Sequence, residues 1–300
     1  VTLLFQDNVT LGASTELTGS TSVTFNGNIT GGGNNLTVNS PTSTFGNASS
    51  DTISGVGTLL TDAAGTTTIN SGSVSATTVT LNDNMTLGSD VVITATTATF
   101  NGNITGGGND LTINATTTTF GDAPADSISG VDTLTTNAAG TTTINAATVS
   151  ASSIDFNDTV ILTTNVTLTA TNLDLADVEG PGGLTADVSG TTILGGDLGS
   201  TTSPLAFLDI VSVGPISIAN EVNTAGTVTL TTAGNFTFAV TGTMTSGGAV
   251  TVNGDQTDPG VNDPDLAGTT IIWAGTVTAP LVTLNASLQE DIFVVTPSVS

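Results

Sequence analysis

The sequence predicts an all-β chain folded as a right-handed parallel β-helix, a β-solenoid with coils of about 19 residues. Three observations predict it. The chain repeats itself at an offset of 75 positions, each copy contains a finer period near 19, and the segments within that period alternate apolar and polar residues.

The long repeat comes first, because it sets the frame for every local reading. FNGNITGGGNNLTVN, from Phe25 to Asn39, returns as FNGNITGGGNDLTIN from Phe100 to Asn114, and AAGTTTIN at Ala63 to Asn70 returns unchanged at Ala138 to Asn145. Asp51-Thr52-Ile53-Ser54-Gly55-Val56 maps in the same way onto Asp126-Ser127-Ile128-Ser129-Gly130-Val131. A third copy opens near 154, where Ile154-Asp155-Phe156-Asn157-Asp158 matches Val79-Thr80-Leu81-Asn82-Asp83, and it fades after Leu175. Within a copy, Leu81-Asn82-Asp83-Asn84, Phe100-Asn101-Gly102-Asn103 and Phe120-Gly121-Asp122 follow one another, the numbering advancing by 19 and then by 20. Four units per copy give a mean just under 19, the length of one coil made of two or three short strands.

Val91-Val92-Ile93-Thr94-Ala95, Leu111-Thr112-Ile113-Asn114 and Thr227-Val228-Thr229-Leu230-Thr231 alternate with period two and are rich in β-branched residues, so the units are strands. Gly31-Gly32-Gly33-Asn34, Gly106-Gly107-Gly108-Asn109 and Asn253-Gly254-Asp255 supply the corners. One coil cannot bury its inward Val, Ile, Leu and Phe, whereas stacked coils share an apolar column. A β-sandwich array is the competing all-β reading, but sandwich domains of about 100 residues would not create a subrepeat near 19. Phe25, Phe100, Phe120 and Phe156 then form an interior stack, and Asn26, Asn101 and Asn157 form corner ladders. Trp273 is expected as a half-buried strand residue. Outward threonines stand one above the next, each favourable pair contributing about 0.2 to 1 kcal/mol. The solenoid is expected as a single domain over residues 1–300, with irregular loop-bearing coils near 178–215, an acidic loop near 254–268, and a chain that continues beyond this segment.

Composition excludes much chemistry. The 300 residues contain no Lys, Arg, His, Cys or Tyr and a formal charge of -25. Such a chain has no imidazole or thiol nucleophile, no amine for a Schiff base and no arginine clamp. Nucleic acid is not an expected partner, and an anionic membrane surface repels the chain. No apolar run approaches the roughly 18 residues a spanning helix needs, so no membrane insertion is expected in this segment. Disorder is not expected either, since 37% of residues are hydrophobic and the mean hydropathy is +0.30.

Carboxylates remain as candidate ligands. Asp255, Asp258, Asp263 and Asp265 crowd the acidic loop, where hard oxygen donors would suit calcium, the one cofactor considered. A solvated acidic turn is the plainer reading of the same residues. Asp122 with Asp126, or Asp83 with Asp158, would be needed for inverting glycoside hydrolysis, but repeated turn-capping aspartates account for them more simply. A single Trp and no Tyr leave little for a sugar platform, so no enzyme is expected.

FNGNITGGGNDLTIN and GTTTINAATVSA resemble the strand repeats of large bacterial surface proteins, similar to filamentous haemagglutinins, two-partner-secretion exoproteins and autotransporter passengers. The resemblance implies an exported β-helix used in adhesion, aggregation or matrix building. The expectation is therefore an extracellular or cell-surface structural protein that forms or extends a fibre by end-to-end coil stacking, with copies of itself as head-to-tail partners. The alternative is an adhesin passenger domain whose loops bind glycans or proteins on a host or neighbouring cell.

Overall fold

The computed structural model describes residues 1–239, 242–254, 270–285 and 292–295, and among them every regular element is a β-strand. All strand pairings described are parallel, and each joins one turn of a solenoid to the next. The chain divides into two compact units, Val1–Ser152 with Phe156–Asp158, and Ser153–Asp155 with Thr159–Ser300.

In the first unit each turn has three faces. The opening turn shows them separately as strands Thr2–Phe5, Val9–Thr10 and Thr15–Thr18. From residue 52 onward the chain rounds one corner without leaving strand conformation, so that Thr52–Thr61, Ser73–Leu81, Val91–Phe100 and Leu111–Phe120 each cover two faces. Phe5 pairs with Phe25, Thr66 with Asn84 and Phe120 with Ile144, so the numbering advances by 20, 18 or 24 in a turn. Long turns place their extra residues at corners. In the Gly-Gly-Gly-Asn corners, Asn34 Nδ2 donates to the carbonyls of Leu11 and Gly31, both at 3.0 Å, and Asn109 does the same with Leu87 and Gly106. Gly106 has no room for a side chain, because a Cβ there would sit 2.4 Å from Val131 Cα.

The registers show how the long repeat is wound. One column runs Phe5, Phe25, Phe45, Ile69, Leu87. Another contains Leu81, Phe100, Phe120, Ile144. Three full turns carry Phe25 to Leu87, and Phe100 follows on the face just before the fourth turn would close. The repeat is thus three and two-thirds turns, and its second copy stands one face away from its first.

The core is a column of side chains alternating inward from each strand. The single stack expected of Phe25, Phe100, Phe120 and Phe156 is instead two, because the repeat is not a whole number of turns: Phe5, Phe25 and Phe45 stack with ring centroids 4.9 and 5.5 Å apart, and Phe100, Phe120 and Phe156 stack separately at 5.7 and 6.5 Å. Of the corner asparagines, Asn101 forms the expected ladder, its Nδ2 donating to Asn82 Oδ1 at 2.7 Å, whereas Asn26 Nδ2 donates to Gln6 Oε1 and Asn157 Nδ2 to the Thr136 carbonyl, both at 3.0 Å.

The second unit is also a three-faced parallel solenoid. Val166, Leu184, Leu208, Val228 and Val250 form one column. In residues 178–215, where irregular coils were expected, Leu184–Val188 and Thr192–Leu194 keep the ladder, and Leu198 and Leu205 contribute isolated bridges. The irregularity is one of length: the turn from Leu184 to Leu208 is longer than the one before it, from Val166 to Leu184. Trp273 corrects the half-buried expectation: it is only 2% exposed, inserted beside Phe236 and Phe238 at 5.8 and 5.5 Å, because Thr270–Trp273 turns it inward one turn above Phe238.

Candidate functional site

The proposed calcium ligands Asp255, Asp258, Asp263 and Asp265 lie outside the described residues. Among the described residues no group of three or more acidic side chains is arranged to hold a metal ion.

Asp122 and Asp126 meet in one corner, where Asp126 acts as a turn cap. Its Oδ2 accepts the backbone N–H groups of Asp122 and Ala123 at 3.0 and 2.9 Å, and Asp51 does the same for Asn47 and Ala48 at 2.9 and 3.1 Å. Asp83 and Asp158 are not brought together, and they are not exposed caps. Asp83 is 3% exposed, with Thr61 Oγ1 donating to Oδ1 at 2.8 Å and Thr67 Oγ1 to Oδ2 at 2.9 Å. Asp158 repeats the arrangement with Thr136 at 2.6 Å and Thr142 at 2.8 Å. Burial pushes the Asp83 carboxyl above its ordinary range, and the two threonine hydrogen bonds offset part of that rise. One turn from Thr67 and Thr142, in the same inward column, Ser43 Oγ and Thr118 Oγ1 are buried without a hydrogen-bond partner.

Sequence reasoning missed these nests, although a signal existed. Thr66-Thr67-Thr68-Ile69 must turn Thr67 inward if Ile69 is inward, so a buried hydroxyl in need of a partner is implied by period two. In the second unit, the Asp174 carboxyl is also raised, first by burial and then by the neighbouring charge of Asp155.

Among the described residues one outer face is covered by threonine. Thr78, Thr97, Thr117 and Thr141 pair in register through four consecutive turns, and Thr80, Thr99, Thr119 and Thr143 form a parallel rank two residues along each strand. Val79, Ala98, Thr118 and Thr142 point inward between the two ranks and are buried. Compared with protein-family models, curated proteins and solved structures, the chain matches none.

Proposed function

We propose that this chain is an extracellular structural protein that forms or extends a cell-surface fibre or matrix by end-to-end stacking of coils. The observation that carries the reading is the ladder itself: every described pairing is parallel and joins one turn to the next, over apolar columns such as Phe5, Phe25, Phe45, Ile69 and Leu87. A coil of this geometry stacks as readily on a coil of a second copy as on one of its own chain, and a head-to-tail contact that does not close into a ring makes a filament.

Charge sets the conditions. Each copy carries a formal charge of -25 with no basic side chain, so copies repel at low ionic strength and approach when salt or divalent ions screen them. Negative-stain microscopy and sedimentation of the purified chain test the proposal. Filaments are expected at high protein concentration, and more of them with added salt or Ca²⁺. Dispersed monomers at high concentration, with and without Ca²⁺, would overturn it.

A further inference from the structure

We propose that the threonine-covered face of the first unit binds the surface of ice. This stands independently of the fibre reading, because it uses the flank of the coils and not their ends.

The argument begins with spacing. Successive turns of a parallel solenoid lie about 4.8 Å apart, and outward residues two positions apart along a strand lie about 6.6 Å apart. The register pairs Thr78, Thr97, Thr117 and Thr141 in one rank and Thr80, Thr99, Thr119 and Thr143 in the other, which makes a two-by-four lattice with those two spacings. Water oxygens on the prism face of hexagonal ice repeat slightly more closely than the first spacing and somewhat more widely than the second, a mismatch that stays within a fraction of a water diameter over two ranks and four turns. A helix or a twisted open sheet would lose such a match within a few residues, whereas a solenoid face keeps it from turn to turn.

The second consideration is chemical. Each threonine offers a hydroxyl that can replace a lattice water and a methyl that a cage of waters can enclose. Unlike Thr61, Thr67, Thr136 and Thr142, which donate to buried carboxylates, none of these eight hydroxyls is hydrogen-bonded to another protein group among the described residues. They are left to the solvent. None of the outward positions in the array is acidic, although the chain holds 25 acidic residues, so no strongly hydrated charge disturbs the ordered water.

The third is rigidity. Threonine is stiff at χ1, and all but Thr117 of the eight are partly covered by their neighbours. The buried Leu81, Phe100, Phe120 and Ile144 anchor the strands from inside. A pre-ordered array loses little conformational entropy when it docks on a crystal. A crystalline polysaccharide would be the other regular surface to consider, but its recognition relies on aromatic platforms, and the described aromatic rings that are fully buried include Phe100, Phe120 and Phe156 beneath this region.

The test is ice growth in the presence of the full chain, read as the gap between melting and freezing temperatures and as crystal shape. Faceted crystals and a measurable gap are expected. Thr99→Tyr and Thr119→Tyr, at the centre of the array, should each reduce the gap roughly tenfold, as removal of a central contact does at other rigid interfaces. Thr112→Tyr, an outward position on another face, should leave it unchanged. Circular dichroism must show each variant folded. If a tyrosine variant does not fold, Thr99→Ser, which keeps the hydroxyl and removes the methyl, replaces it and should weaken the activity in the same direction. Unshaped crystals with the folded wild-type chain, equal losses at Thr112 and Thr99, or retention on microcrystalline cellulose or chitin without any effect on ice would overturn the proposal.

Discussion

Asp83 and Asp158 occupy the interior of a chain that has no basic side chain to pair with them. What holds each is a pair of threonine hydroxyls, and hydrogen bonds to a charged acceptor contribute about 1.5 to 3 kcal/mol. Thr67→Val keeps the shape and removes one donor, so it should destabilise the chain by about that amount. Ser43 is buried one turn away with a hydroxyl that has no partner, which costs free energy without return. Ser43→Ala should therefore be neutral or stabilising by up to about 1 kcal/mol, as should Thr118→Val at the equivalent position. Urea titrations of the three variants check the opposite signs. A loss of stability in Ser43→Ala comparable to that in Thr67→Val would mean that Ser43 has a partner of its own, such as an enclosed water.

At the scale of the element, alternation told which residues of a strand point inward, and the Phe25, Phe100 and Phe120 positions were readable from it. The three-faced winding was not. Spacings of 19 and 20 between Leu81, Phe100 and Phe120 are true turns, but the next residue in that column is Ile144 at a distance of 24, which no aromatic marker reveals. Phe156 carries the sequence signal of an equivalent position while stacking on Phe120 from a strand that reaches it by a different route. Identities of single buried partners were also hidden, since Thr67 and Asp83 are 16 residues apart and meet only because a short turn brings them together. Corner glycines, in contrast, were legible as corners, and the structure shows why a particular one is needed. Gly106→Ala would drive a methyl into the Val131 backbone and should cost about 1 to 3 kcal/mol, whereas Gly12→Ala, with nothing within 4 Å, should cost far less. Thermal melts of the two variants distinguish them; equal losses would mean that the corner relaxes freely.

For the whole molecule, the direction of the acid response follows from burial and charge together. The Asp83 and Asp174 carboxyls are raised above the ordinary value of 3.8, so the folded chain binds protons more readily than the unfolded one. Their contribution to stability is fully present below the unfolded value and is lost as pH rises through the folded one. Melting temperature should therefore rise as pH falls from about 7 to about 4, helped by the loss of repulsion among the acids. Asp83→Asn should flatten that rise, since it removes one of the groups responsible. A melting temperature that drops on acidification would overturn this.

The winding of the repeat in the first unit has a further meaning for how such a chain can evolve. A duplicated block of three and two-thirds turns behaves like a gear, setting each new copy a third of a revolution away from its parent. A mutation fixed before duplication is thereby broadcast to a new side, and only a fourth copy would return to the first. Had the block been four full circuits, every inherited novelty would have piled up along a single flank.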